Sequence, residues 1–279
     1  MKVTVVGSGS FIAQALRRCA AATDWRYLGH AEALADTAWA RDSDVVLNCA
    51  FDDRLKDAEY QPSLDIDLRL ARSVLPQAHL RYVMLSSRTV YGTAPADGRL
   101  HEHLPAAPRS PYAKAKWQTE TALAEMLGER LTIFRLSNIF GHEDLPGRRN
   151  FFAQALRSLR GQGRIVLDIS PFVERDFLPV EHCADQLAGA MRQLHGGIFH
   201  LGAGFGVPVG KISQWILEGF GSGELLVTNV REFDAFWLDM ARTRAAFDTK
   251  TLTLEQLRAA CHAVGQHLCE ARAHAVAGG

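Results

Sequence analysis

Tyr112 and Lys116 stand four residues apart in the run Ser110-Pro111-Tyr112-Ala113-Lys114-Ala115-Lys116. On a helix that spacing puts both side chains on one face, one turn apart. A phenol is a poor base at neutral pH, and a neighbouring ammonium favours its ionised form. Upstream, Ser86-Ser87-Arg88-Thr89-Val90-Tyr91-Gly92 follows an apolar run, so the Ser87 hydroxyl stands at a strand end, where it can hydrogen-bond a substrate oxygen. The chemistry that asks for these three groups is hydride transfer at a carbon–oxygen centre, with Lys116 also available to hold a nicotinamide ribose. Tyr-x-x-x-Lys alone occurs often on surface helices; its companions give it weight.

One companion is Gly7-Ser8-Gly9-Ser10-Phe11-Ile12-Ala13, between an apolar run and an amphipathic stretch. At such a strand-to-helix turn Gly7 permits the tight bend and Gly9 lets backbone approach a pyrophosphate. The exposed N–H groups and the helix dipole then hold the charge. Gly7, Gly9, Ser10, Phe11 and Ile12 are therefore candidate dinucleotide contacts. The next apolar run ends at Leu28-Gly29-His30, where an acid commonly binds the ribose 2′-hydroxyl. His30 is no acid, although Glu32 is close, and a histidine suits a 2′-phosphate. The cofactor expected is NAD or NADP, leaning to NADP; the plain alternative at His30 is an ordinary exposed loop histidine.

These residues need a frame. Apolar runs at 2–6, 25–28, 44–50, 81–86, 131–136 and 198–201 alternate with helical spacing at 11–22, 64–75, 110–127 and 180–194. That alternation predicts an α/β fold, a Rossmann doubly wound parallel sheet with helices on both faces. Only thirteen residues separate His30 from Asp44, so one strand-and-loop unit is shortened or absent. The second half is less regular: a helix over 150–161, a strand over 164–167, a glycine-rich loop over 202–210 and a helix over 252–275. It predicts a small C-terminal substrate-binding lobe. Residues 1–143 form the dinucleotide-binding domain and 144–279 mainly the lobe, with about 178–203 returning to the sheet.

The 279 residues are 47% hydrophobic, with 31 Lys plus Arg against 31 Asp plus Glu. No net field draws the chain to nucleic acid or an anionic membrane. The five cysteines have no metal or redox spacing, and no metal is expected. Without a signal-peptide pattern or an apolar run of about 18 residues, a soluble, cytoplasmic protein is expected.

Further segments follow in order: Asp44-Val45-Val46-Leu47-Asn48-Cys49-Ala50, Arg135-Leu136-Ser137-Asn138-Ile139-Phe140-Gly141, Arg175-Asp176-Phe177-Leu178-Pro179-Val180, His200-Leu201-Gly202-Ala203-Gly204 and Leu238-Asp239-Met240-Ala241-Arg242. With the Ser87 segment and the Tyr112/Lys116 pair, they resemble the extended short-chain dehydrogenase/reductases, the NAD(P)-dependent nucleotide-sugar epimerases, dehydratases and reductases. The resemblance implies that Ser87, Tyr112 and Lys116 are catalytic, that Ala50, Tyr112 and Lys116 lie beside the cofactor, and that Ser87 touches substrate. It also implies that Asn138 and Arg175 contact the substrate diphosphate, with Arg231 a second phosphate contact. For Arg175 the plain alternative is an ion pair with Asp176 or Glu174. Relatives pair through the helices matching 64–75 and 110–127, so a homodimer is expected.

Three departures narrow the reading. Ser10 and Ala13 stand where the family commonly has glycine, and Asp65 or Asp67 where it often has asparagine. Dehydratases of the group carry an Asp-Glu pair after the catalytic hydroxyl residue; Arg88 and Thr89 stand here, which speaks against dehydration. What remains is an epimerase or ketoreductase of a nucleotide-activated sugar, acting at a sugar carbon, C4 by resemblance. The other class is a non-catalytic dinucleotide-binding sensor or scaffold, which needs the glycine turn but neither Tyr112 nor Lys116.

Overall fold

The computed structural model describes residues 1–142 and 151–277; the expected domain boundary at 143/144 and the expected helix start at Asn150 lie outside them. Six strands form the central sheet: β1 (Val3–Val6), β2 (Arg26–Leu28), β3 (Val45–Asn48), β4 (Arg81–Ser87), β5 (Leu131–Leu136) and β6 (Gly197–Leu201). All pairings are parallel, in the order β6-β5-β4-β3-β1-β2. The period-2 alternation of side chains divides the core. Val5, Leu47, Val83, Leu85, Phe134 and Phe199 feed one apolar cluster, and Val6, Val46, Tyr82, Met84 and Ile133 feed another. A sheet buried on both faces needs such near-continuous apolar strands.

The helices are α1 (Phe11–Arg18), α2 (His30–Ala35), α3 (Ile66–Val74), α4 (Pro111–Leu127), α5 (Phe151–Gln162), α6 (Val180–Met191), α7 (Val209–Phe220), α8 (Ala241–Ala246) and α9 (Leu254–Ala277). Helices α1 and α6 cover the first cluster, α3 and α4 the second. The expected doubly wound fold is what forms, and the short His30–Asp44 interval explains its one departure. The usual order places a further strand outside β2. Here α2 and a 3₁₀ turn, Ala38–Asp42, lead directly into β3, so β2 is the sheet edge.

The helix expected over 11–22 stops at Arg18. Cys19 turns extended, at φ −75° and ψ 122°, and Ala20–Ala22 form a 3₁₀ turn despite alanine's helix preference. The chain must double back to pair β2 with β1, and tertiary geometry overrides propensity. Helix α7 begins where only a glycine-rich loop was expected.

The remaining strands pair two by two: Asn138–Phe140 with Phe177–Pro179, Glu174–Arg175 with Val207–Pro208, Arg164–Leu167 with Glu224–Val227, and Arg99–Leu100 with Trp237–Leu238. Asp176 bolts three of these segments together. Its buried carboxylate accepts from the N–H groups of Ala203 at 2.8 Å, Gly204 at 3.1 Å and Leu238 at 3.2 Å.

Candidate active site

The glycine turn lies where β1 parts from β3. Gly7 has φ +89°, and a Cβ there would meet the Ala50 backbone nitrogen at 2.6 Å, so both backbone angle and close approach require glycine. A Cβ on Gly9 would meet nothing within 4 Å, which leaves open space beside the turn. The first turn of α1 carries no acidic residue to repel a phosphate. Ser10 does not project into that space: its Oγ caps α1, accepting from the Ala13 N–H at 3.2 Å. Phe11 is buried in the core, so its backbone is what remains for a ligand, and Ile12 is half-buried against the same core. These features fit a pyrophosphate. His30 is the exposed first residue of α2 rather than a loop residue. Glu32 turns back and accepts from the Gly29 N–H at 3.2 Å.

The candidate trio comes from two elements, the end of β4 and the start of α4. Ser110 Oγ accepts from Ala113 N–H at 3.2 Å, and Pro111 opens α4, which sets the helix carrying Tyr112 and Lys116. Lys116 is buried, and its Nζ donates to the Leu85 carbonyl at 2.8 Å, two residues before Ser87 on β4. Phe51, next to Ala50, ties the pair together. Its ring lies 4.6 Å under the Lys116 ammonium and meets the Tyr112 ring edge-on at 5.2 Å. Ser87 Oγ accepts from the Thr89 N–H at 3.2 Å and the Thr89 hydroxyl at 2.9 Å. Its own proton is therefore left to donate outward.

Asp67, the second of the two positions considered for the family's asparagine, completes the surroundings of Lys116. Its Oδ2 lies 3.8 Å from Nζ, and its Oδ1 accepts from the Tyr82 hydroxyl at 3.0 Å. Burial pushes this carboxyl up to about 6, against the pull of the Lys116 ammonium; Asp65 pushes the same way, while hydrogen bonds from Asn48 and Tyr82 resist. Sequence reasoning missed both Phe51 and the role of Asp67. The signal for Asp67 was its place in the stripe Asp67, Leu70, Ala71 and Val74, an acid where helical spacing wants an apolar residue.

Arg88, the residue after Ser87, belongs to an arginine pair that shares Asp234. Arg88 makes a two-pronged contact with Asp234, Nη1 to Oδ1 and Nη2 to Oδ2, both at 2.6 Å. Arg175 Nε donates to the Asp234 carbonyl at 3.1 Å, and its Nη2 lies 3.6 Å from the same carboxylate. Arg175 thus pairs with neither Asp176 nor Glu174. Asn138 is half-buried one residue past Ser137, its N–H bonded to the Asp176 carbonyl at 3.3 Å. Arg231 is exposed, its carbonyl accepting from Ser170 N–H at 3.0 Å, and shares no hydrogen bond or ion pair with the arginine pair among the described residues. An apolar cleft of about 660 Å³ lined by Phe172, Val207, Lys211, Trp215 and Leu254 contains none of these groups.

A parallel doubly wound sheet with a glycine turn at its switch point defines the Rossmann class of folds. Residues 25–202 match the family model described as the NAD dependent epimerase/dehydratase family, and the chain belongs to that family. No curated protein matches the sequence. Among solved structures, RMD from Pseudomonas aeruginosa complexed with NADPH is similar at 20% identity and TM-score 0.76, covering 96% of this chain and 99% of its own. UDP-glucose 4-epimerase from Thermotoga maritima, with UDP-glucose, is similar at 18% identity and TM-score 0.77, covering 97% and 99%. The Thermus thermophilus UDP-glucose 4-epimerase complex with NAD is similar at 19% and 0.75, covering 96% and 99%. At these identities the likeness is one of fold. No helix among the described residues is long and apolar enough to cross a membrane.

Proposed function

We propose that this chain is an NAD(P)-dependent epimerase or ketoreductase of a nucleotide-activated sugar, with Ser87, Tyr112 and Lys116 as its catalytic residues. The observation that carries the reading is the Phe51 ring, which touches both Tyr112 and Lys116 while Lys116 is fastened to the strand ending in Ser87. Ser87 donates its free proton to the sugar oxygen, and Tyr112 exchanges a proton with the same oxygen. Lys116 supplies a buried positive charge one helical turn from Tyr112. A nicotinamide dinucleotide, which the glycine turn and Lys116 would hold, would supply the hydride chemistry at the sugar carbon.

Gly7, Gly9, Ser10, Phe11, Ile12, His30 and Ala50 are the proposed cofactor contacts, with Asn138, Arg175 and Arg231 for the substrate diphosphate. NADP is favoured because Glu32 is tied to the Gly29 N–H and Asp52, also in electrostatic range of His30, is forked by Arg54, so that His30 remains. Arg88 and Thr89 offer no acid–base pair for dehydration. We infer a homodimer of cytoplasmic type, built on α3 and α4. The buried apolar residues of those helices pack toward the sheet, so contact would run through exposed Trp117 and the polar residues around it. Sedimentation that gives monomer at high concentration rejects the dimer.

The test is turnover. NADPH consumption with a 4-keto-6-deoxy sugar nucleotide marks a reductase, and interconversion of hydroxy sugars without net cofactor use marks an epimerase. In either case Tyr112→Phe lowers turnover by about 10²–10⁴-fold while dinucleotide binding holds. An unchanged rate rejects the catalytic reading and leaves a dinucleotide-binding sensor.

A further inference from the structure

We infer that Arg88 is the seat of a carboxylate on the sugar of the substrate, and that Asp234 fills this seat until the substrate arrives. The inference rests on the nucleotide-sugar reading above and narrows it to sugars that bear an acid. Arg88 follows Ser87 directly and opens the 3₁₀ turn after that strand, so the chain carries its guanidinium on the same strand end as the proposed catalytic hydroxyl. The present occupant is itself a carboxylate, held in the planar two-pronged geometry that a guanidinium offers an acid. The seat is built: Arg88 is 9% exposed, and its guanidinium lies 3.9 Å over the Phe236 ring.

Three features mark Asp234 as a replaceable occupant. It is the one non-glycine residue with positive φ among the described residues, at 59°, a backbone state that carries strain. It is more exposed than the arginine it holds, 26% against 11% for the side chains, so it sits on the solvent side of the pair. Its exchange leaves no orphan charge, because Arg175 already reaches the same carboxylate oxygen at 3.6 Å. Arg175 also feels Asp168 at longer range, but among the described residues Asp234 is the carboxylate in ion-pair range of both guanidiniums. A second acid entering on Arg88 ends the sharing of one carboxylate between two cations. Arg88 Nε, buried with no acceptor among the described residues, is a further donor that the present occupant does not satisfy.

The experiment uses matched probes that differ only at C6, carboxylate against hydroxymethyl: UDP-glucuronate with UDP-glucose, and GDP-mannuronate with GDP-mannose. Each is titrated calorimetrically into the full-length protein with NADP present. In the pair whose base is accepted, the uronate binds about tenfold or more tighter, the worth of a charge-assisted fork. Arg88→Gln removes that preference while the neutral sugar stays within about threefold. Asp234→Asn tightens the uronate, whereas loss of a merely structural tie weakens both sugars alike; this sign decides the matter if Arg88→Gln fails to fold. A wild-type ratio near one, a ratio that Arg88→Gln leaves intact, or weaker uronate binding in Asp234→Asn overturns this inference alone. Binding of none of the four probes overturns the nucleotide-sugar reading, and this inference falls with it.

Discussion

Two arginine–carboxylate forks flank the strand that ends in Ser87, and they differ in everything except chemistry. Arg135 grips Glu120 through Nε at 3.1 Å and Nη2 at 2.5 Å, with the side chains only 5% and 4% exposed. The Ser86 hydroxyl donates to the same carboxylate, and the Arg135 guanidinium lies 4.5 Å over the Tyr91 ring. Tyr91 in turn donates to His200 Nε2 at 2.6 Å, and His200 Nδ1–H donates to the Asp239 carbonyl at 2.9 Å. The fork's own members sit on α4 and β5, with Ser86 on β4, His200 on β6 and Tyr91 on the 3₁₀ turn after β4. The Arg88–Asp234 fork hangs instead on a segment outside regular structure, part-exposed, with a backbone angle unusual for a non-glycine residue. The first fork holds the strand end in place. The second can let go, and that difference separates a scaffold from a recognition element.

The largest expected effect breaks the first fork. Glu120→Ala leaves Arg135 buried without a counter-charge, which costs about 3–5 kcal/mol. Urea denaturation reads this as a lower midpoint with an unchanged slope. A loss below about 1 kcal/mol would put this fork in the class of exposed pairs and remove the contrast.

Next in size is a pH effect that links the first network to the catalytic surroundings. His200 is held near 4 by burial, below its ordinary value, so between about 6.5 and 4 the unfolded chain binds more protons and stability falls on acidification. Asp67, raised to about 6 by burial, has the opposite sign: between about 4 and 6 the folded chain binds more protons, and stability rises on acidification. Each contribution is on the order of 2–3 kcal/mol, so the two largely offset in the wild type. Asp67→Asn should therefore lose stability more steeply than wild type from pH 7 to pH 4, and His200→Asn less steeply. Parallel curves for wild type and Asp67→Asn would mean that the Asp67 carboxyl is not held neutral by its surroundings.

How far the sequence reveals all this depends on distance along the chain. Tyr112 with Lys116, and the glycines around residue 7, are local patterns on elements whose periodicity is strong, and their frame follows from the alternation of runs. The missing outer strand was legible as a short interval between His30 and Asp44. The partners that adjust the site are not local. Asp234 lies 146 residues from Arg88, on a segment with no periodicity to place it. Phe51 reads as one more apolar residue after β3 until α4 is laid against it. Asp67 could be flagged as an acid out of place, but only packing shows that Lys116 is what it faces. Helix α7 was hidden by the glycines before it, which mask its start.

The smallest expected effect sharpens the contrast most. Asp234→Asn keeps a residue that tolerates the left-handed backbone and keeps a carbonyl oxygen for Arg88, removing only the charge. Arg88 lies on the inner side of a part-exposed partner, so the neutral amide keeps it covered while water reaches the pair from the residue-234 side, and Arg175 still donates to the residue-234 carbonyl. Stability should therefore change by less than about 1 kcal/mol. A double-mutant cycle with Arg88→Gln should give a coupling of similar size, while the equivalent cycle on Glu120 and Arg135 gives several times more. A loss of about 3 kcal/mol in Asp234→Asn would make the two forks alike. Asp234 would then be a structural tie on the substrate lobe, and the strain at φ 59° would need another cause.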